Sequence, residues 1–143
     1  MPYDSLLVQP MRDELTRLGI RELRTPADVD AFLTDRIGTA LLFVNSVCGC
    51  AAGNARPALA IALKNKVVPE RTATVFAGQD TEATACARKY FPEVPHSSPS
   101  VFFLKDGELI MHIPRHNIEN RDAIAVAREL VTAFETHCGN STP

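Results

Sequence analysis

Residues 40–51, ALLFVNSVCGCA, place an apolar run directly before two cysteines that a single glycine separates. The run over residues 40–44 has the length of a strand, and an apolar run without polar alternation is typical of a strand buried on both faces. Residues 51–66 are rich in alanine and predict a helix, with Pro57 in its first turns or at a kink. The stretch therefore predicts a central strand that carries the two cysteines to the start of a helix.

Outward from this stretch, strands and helices alternate along the chain. Helices are predicted over residues 5–18, after Thr25-Pro26, and over residues 81–90 and 120–137. Strands are predicted over residues 20–23, 72–76, 101–104 and 108–113, the last two joined by an Asp-Gly turn. This order predicts an α/β fold over residues 1–143 as one domain. Its mixed central sheet is covered by helices on both faces and ends in a β-hairpin and a helix.

The composition is that of a globular protein without a nucleic-acid partner. Hydrophobic residues make up 45% and charged residues 22%, and the net charge of −2 is spread without a basic run. We expect no membrane span, because no apolar run approaches about 18 residues. The first residues lack the basic start and long apolar core of a signal peptide, so we expect a cytoplasmic protein. In that reducing compartment the four cysteines do not predict a disulfide framework.

Cys48 and Cys50 have the position and spacing of a redox-active pair. The carboxyl end of a buried strand is where α/β folds gather active sites, and a helix start favours a thiolate over a thiol. A thiolate attacks disulfides, and a second thiol beside it can resolve the mixed disulfide. A disulfide between residues two apart closes a small, strained ring, which favours exchange or isomerisation over strong net reduction.

Metal binding and inert burial are the alternatives for these cysteines. A structural zinc site normally needs four Cys or His ligands in paired spacings. Cys86 and Cys138 are isolated, and the four histidines form no such pair, so we expect no metal site. Burial alone is disfavoured by the position of the pair at a glycine-containing turn.

The chain resembles the bacilliredoxin family of bacterial thioredoxin-fold proteins. The resemblance runs over nearly the whole sequence and is carried by the segments PMRDELTRLGIREL, VNSVCGCAAGNARPA, TVFAGQDTEATA, HSSPSVFFLKDGELI, IPRHNIE and AFETHC. It implies a cytosolic thiol–disulfide oxidoreductase with a thioredoxin-like fold. The family is associated with removing bacillithiol from protein mixed disulfides, and some of its members with disulfide isomerase activity.

The resemblance implies roles for individual residues. Cys48 would attack the substrate disulfide and take the bacillithiol, and Cys50 would be the resolving thiol. Ser98 and Pro99 match the cis-proline segment that lies opposite the reactive cysteine in this fold, where the backbone meets the substrate. We further expect Arg115, or Arg56 early in the helix after the cysteines, to bind the two carboxylates of the malate group of bacillithiol; the alternative is that both are plain surface arginines.

Further expectations concern partners and the remaining cysteines. No bound cofactor is implied, bacillithiol is a thiol cosubstrate, and the protein partners carry bacillithiol or disulfides; we expect a monomer or weak dimer.

No acid is predicted beneath the pair, so titration of the two thiols would depend on the helix end, Asn45, Ser46 or solvent. Cys86 is expected to be a small buried residue and Cys138 a passive thiol, with an intermolecular disulfide or a modification as alternatives.

Three other functions stay open on the sequence. They are a general protein disulfide isomerase, a non-catalytic sensor that binds a partner when the pair is oxidised, and a metal carrier. Turnover on mixed disulfides, turnover on scrambled disulfides and zinc content separate them.

Overall fold

A computed structural model describes residues 3–138. Its helices are α1 (Ser5–Thr16), α2 (Pro26–Leu33), α3 (Arg56–Ala62), α4 (Thr81–Lys89), α5 (His116–Glu119) and α6 (Ala123–His137). Its strands are β1 (Arg21–Glu22), β2 (Thr39–Asn45), β3 (Arg71–Phe76), β4 (Ser100–Lys105) and β5 (Glu108–Ile113). The alternation of strands and helices predicted from the sequence is confirmed, including the short first strand.

The five strands form one mixed sheet in the order β1-β3-β2-β4-β5. Strand β3 pairs in parallel with β1 and with β2, whereas β4 pairs antiparallel with β2 and with β5. The parallel pairs come from strand–helix–strand units, and the β4–β5 pair comes from the hairpin at Asp106-Gly107, while β4 also runs antiparallel to β2. The fold is therefore the predicted α/β class with an antiparallel edge.

Strand β2 lies in the middle of this sheet and is buried along its whole length. Leu41 and Phe43 belong to a core beneath α3 and α6, while Leu42 and Val44 belong to a second core beneath α2 and α4. Successive side chains of a strand point to opposite faces, so one apolar run supplies both cores. This burial holds the end of β2, and the cysteines that follow it, in a fixed position.

The helix after the cysteines is shorter and less regular than the sequence predicts. It begins with a π-helical turn over Ala51–Ala55, continues as α3 from Arg56, and ends at Ala62 rather than at residue 66. Pro57 has no N–H to donate and its ring crowds the preceding turn, so the regular hydrogen-bond ladder can begin only at this point. Such π-helical turns are common near functional sites.

The C-terminal helix also differs from its prediction. Helix α6 begins at Ala123, with Asp122 as its N-cap accepting from the Ala125 N–H, rather than at residue 120. The preceding residues form α5, a separate short helix. Asn54 in the π-helical turn links α5 to the helix that follows the cysteines by donating to the Ile118 and Arg121 carbonyls, at 3.0 and 2.7 Å.

Within residues 3–138, no helix has both the length and the apolar character needed to cross a bilayer.

Candidate active site

Cys48 lies where β2 gives way to the helix, as the sequence predicts. Its carbonyl accepts from the Ala51 and Ala52 N–H groups at 3.1 and 3.2 Å, which makes it the first hydrogen-bonded residue of the helix start. Both cysteines are half-buried and free. The sulfur of Cys48 therefore lies at the amino end of a helix while remaining open to a substrate.

The two thiols of the pair are not equivalent. Their sulfur atoms lie 2.9 Å apart, and the Ser46 hydroxyl donates to the Cys48 sulfur at 3.1 Å. Burial acts to raise the pKa of Cys48. The hydrogen bonds from the Cys50 thiol, the Ser46 hydroxyl and the Ala51 and Cys50 N–H groups outweigh it, so this pKa lies below its ordinary value.

Cys50 is shifted in the opposite direction. Burial, the hydrogen bond that its thiol donates to Cys48, and the negative charge of the Cys48 thiolate raise the pKa of Cys50, which the positive charge of Arg115 offsets only in part. Cys50 also packs against the core beneath α3 and α6. Of the two thiols, Cys48 therefore loses its proton first, and Cys50 stays protonated when Cys48 ionises.

Arg56 holds the loop that carries the hydroxyl donor. Its Nη1 donates to the Asn45 side-chain oxygen and to the Ser46 carbonyl, both at 2.9 Å, and its Nε donates to Glu14 at 2.6 Å. The Asn45 oxygen also accepts from the Ser46 N–H at 2.9 Å. The guanidinium thus fixes Ser46 from behind. None of the Asp and Glu residues in the described part of the chain is buried, so no buried acid lies beneath the cysteines.

This placement corrects the expectation that Arg56 binds the substrate or lies plainly on the surface. The residue is only 3% exposed, and its Nε and Nη1 are already engaged with protein acceptors. It does not line the groove beside Cys48. A buried guanidinium held by neighbouring carbonyl and amide oxygens positions the site rather than contacting a ligand.

The other predicted substrate-binding residues do meet beside Cys48. Cys48, Ser98 and Arg115 line one groove of about 360 Å³. Arg115 lies against the Ser98–Pro99 loop: its N–H donates to Ser97 at 3.2 Å and its Nη1 to the Ser98 carbonyl at 3.4 Å. The Ser98–Pro99 peptide bond is cis, as the resemblance implies, and Pro99 itself is buried.

Two groove residues were missed by the sequence analysis. Arg88 of α4 and Tyr3 at the start of the described chain both line the groove, together with Ser46, Val47, Ala77 and Gly78. Two hydrogen bonds with Gln79, at 2.8 and 3.0 Å, hold the backbone of Tyr3 there. Both residues are distant from the cysteines in sequence, and no local pattern marks them.

The two remaining cysteines lie outside the site. Cys86, expected to be a small buried residue, is only half-buried: it packs against the core beneath α2 and α4, its thiol donates to Asp30 at 3.4 Å, and burial and that hydrogen bond raise its pKa. Cys138 is 3% exposed in the core, and burial raises its pKa, as suits the passive thiol expected. Among residues 3–138, no group of three His, Cys, Asp or Glu side chains is placed to hold a metal ion.

The chain is similar in sequence to known proteins along nearly its whole length. A family model described as "Disulphide isomerase" matches residues 3–138. A bacilliredoxin of Salinibacter ruber is 52% identical over 145 residues, covering 100% of this chain and 85% of the relative. A bacilliredoxin of Geobacillus kaustophilus is 51% identical over 138 residues, covering 96% and 95% of the two chains. The chain belongs to the bacilliredoxin family.

Solved structures support the fold of this bacilliredoxin-family chain. The crystal structure of oxidised thioredoxin O2 from Arabidopsis thaliana matches with a TM-score of 0.55 at 16% identity, covering 82% of this chain and 96% of that one. Reduced Schistosoma mansoni thioredoxin matches with a TM-score of 0.54 at 17% identity, covering 80% and 97%. The fold is thioredoxin-like, and the family and fold together make the protein a thiol–disulfide oxidoreductase.

Replacing Ser46 tests the hydroxyl's effect on the thiolate. We expect Ser46→Ala to raise the pKa of Cys48, because the thiolate loses a hydrogen-bond donor. The rate of Cys48 alkylation by iodoacetamide would then rise with pH at a higher midpoint and be slower at neutral pH, converging with wild type in strong base. Ser100→Ala is the matched control, a buried serine whose hydroxyl donates to the Ser97 carbonyl. Equal midpoints for Ser46→Ala and wild type would contradict this role.

Replacing Arg56 tests its structural role. We expect Arg56→Met to lower the free energy of unfolding by about 2–3 kcal/mol, because buried acceptors at Asn45 and Ser46 lose a charged donor. Urea unfolding measures the loss. Arg128→Met on the exposed face of α6 is the control and should change the free energy by no more than about 0.5 kcal/mol. A loss no larger than that of the control would show that the buried contacts of Arg56 add no stability.

Proposed function

We propose that this oxidoreductase removes a small thiol, bacillithiol, from mixed disulfides on other proteins, with Cys48 as the nucleophile and Cys50 as the resolving thiol. The family membership supports the class of reaction. The opposite pKa shifts of the two thiols carry the assignment of roles. The proposal includes the cytoplasm as its location, because free thiols persist in a reducing compartment.

The lowered pKa of Cys48 is the observation that matters most. The thiolate is the attacking species, so the thiol with the lowered pKa, which ionises first, is assigned as the nucleophile. Cys50 keeps its proton and donates it as a hydrogen bond until the first exchange has consumed the thiolate. Once Cys48 is in a mixed disulfide it no longer carries a charge, and Cys50 loses one cause of its raised pKa.

The exchange balances as two successive displacements. In the first, the Cys48 thiolate attacks the bacillithiol sulfur. A Cys48–bacillithiol disulfide forms, the bond between bacillithiol and the substrate protein breaks, and the substrate cysteine leaves with the electron pair as a thiolate. The substrate protein is thereby reduced and Cys48 is oxidised.

Two routes return Cys48 to its starting state. In one, Cys50 loses its proton to solvent and attacks Cys48, which expels the bacillithiol thiolate and forms a Cys48–Cys50 disulfide for a cellular dithiol to reduce. In the other, a second bacillithiol attacks the mixed disulfide, leaves as bacillithiol disulfide and frees Cys48 directly. The 2.9 Å separation of the two sulfur atoms supports the first route. Bacillithiol is thus a cosubstrate and no bound cofactor is required.

Disulfide isomerisation is the second candidate, supported by the description of the matching family model. The same Cys48 thiolate would attack a non-native protein disulfide, and Cys50 would release trapped intermediates. This activity needs no subsite for a small thiol. The two candidates therefore differ in the substrate that occupies the groove rather than in the attacking atom.

Intact mass spectrometry of a bacillithiolated test protein checks the proposal. Wild type should strip the thiol, Cys50→Ala should also strip it when free bacillithiol is supplied, and Cys48→Ala should not, because the nucleophile is absent. Cys86→Ala is the control for removing a cysteine outside the pair. A parallel assay on scrambled ribonuclease measures isomerase activity with the same four proteins.

The outcomes separate the candidates. Loss of stripping only in Cys48→Ala supports the proposal. An untouched mixed disulfide with active isomerisation would replace it by the second candidate. Inactivity in both assays, with oxidation-dependent binding to a partner, would favour a sensor.

A further inference from the structure

The groove beside Cys48 carries two arginines and no acidic residue. Arg88 reaches it from α4, on one side of the sheet, and Arg115 reaches it from the loop after β5. Its other lining groups are neutral apart from the Cys48 thiol itself. At about 360 Å³ the groove falls within the size range of small-molecule sites. It is therefore a small concavity with concentrated positive charge beside the reactive sulfur.

Arg88 has no partner that explains its position. Burial lowers the pKa of Arg88 because desolvation disfavours its charge. No carboxylate or hydrogen-bond acceptor among the described residues offsets this desolvation. A half-buried guanidinium without a counter-ion is unfavourable, because desolvation penalises its charge. An anion in the groove would restore the lost interactions.

Arg115 lines the same groove, and two of its three guanidinium nitrogens are engaged with protein acceptors. Its Nε pairs with Glu119 at 3.1 Å, and its Nη1 contacts the Ser98 carbonyl at 3.4 Å. Among residues 3–138 no hydrogen bond engages its Nη2. Arg115 is close enough to both cysteine sulfurs for their charge to act on it, which places this cation near the reacting atoms.

We propose that Arg88 and Arg115 form a carboxylate-binding subsite that selects small thiols carrying carboxylate groups. This inference rests on the proposed function and specifies which half of the mixed disulfide enters the groove. Arg115 was expected from the sequence to contact carboxylates; the partnership with Arg88 across the groove comes from the structure. Two guanidinium groups can each bind one carboxylate, so the groove favours a thiol with two carboxylates over a neutral thiol.

The subsite also decides which sulfur is attacked. Holding the carboxylates of the small thiol beside Cys48 brings its sulfur, rather than the substrate cysteine, to the thiolate. The new bond then forms between Cys48 and the small thiol, and the substrate cysteine leaves as a thiolate. Attack on the other sulfur would instead link the two proteins and release the small thiol.

The test compares two small thiols on one protein. A single-cysteine test protein is prepared as its mixed disulfide with mercaptosuccinate, which carries two carboxylates, and with 2-mercaptoethanol, which is neutral. The measured quantity is the ratio of kcat/KM for the two substrates, divided by the same ratio for dithiothreitol. That division cancels intrinsic reactivity, and the ratio cancels any change in the thiolate fraction of Cys48.

The expected ratio for wild type favours mercaptosuccinate by about tenfold or more. Arg88→Gln should lower the ratio about tenfold, because it removes a charged donor at a half-buried site. Arg115→Gln should lower it by less, because solvent screens this exposed side chain. Arg88→Lys keeps the charge without the planar fork and should be intermediate. Arg128→Gln, outside the groove, should match wild type.

Opposite results overturn the subsite without confusing it with the proposed function. A wild-type ratio near one, or an unchanged ratio in both Arg88→Gln and Arg88→Lys, contradicts the subsite while leaving thiol removal intact. If wild type removes none of mercaptosuccinate, 2-mercaptoethanol and bacillithiol from the test protein, the proposed function fails and the subsite fails with it.

Discussion

The burial of β2 on both faces is the constraint on which the rest of the structure depends. Because its alternate side chains fill two closely packed cores, a shift of the strand would disrupt the packing on both sides of the sheet. Its carboxyl end is therefore a fixed point, and Asn45 and Ser46 extend that rigidity to the first residue of the helix. A thiol pair placed directly beyond such an end can be held in one geometry through cycles of bond formation and cleavage.

The difference in acidity between the two thiols depends on a chain of contacting side chains behind Cys48. Ser46 donates to Cys48, Arg56 fixes Ser46 and Asn45, and Glu14 neutralises Arg56 at the surface. Hydrogen bonds from neutral groups thus favour the Cys48 thiolate without a buried acid beneath the site. Because Cys50 donates to Cys48, the hydrogen bond that stabilises the Cys48 thiolate disfavours a thiolate on Cys50, so the two thiols differ in acidity before any substrate arrives.

The sequence predicted the elements and the position of Cys48 and Cys50 between β2 and a helix well, because apolar periodicity is a local signal. It failed where long-range packing decides. Arginine is usually exposed, yet Arg56 is buried because its guanidinium donates to the oxygens of Asn45 and Ser46. Arg88 enters the groove because α4 packs against β3, which no local pattern reveals. The short helix α5 escaped prediction because four residues carry almost no periodicity.

The central claim is that Cys48, and not Cys50, is the first of the pair to form a thiolate. The most direct measurement labels the fully reduced wild-type protein with substoichiometric iodoacetamide at pH 7 and locates the label by peptide mapping. The structure predicts that Cys48 takes most of the label, ahead of Cys50 and far ahead of the buried Cys138. Labelling of Cys50 equal to or greater than that of Cys48 would contradict the assignment of nucleophile and resolving thiol.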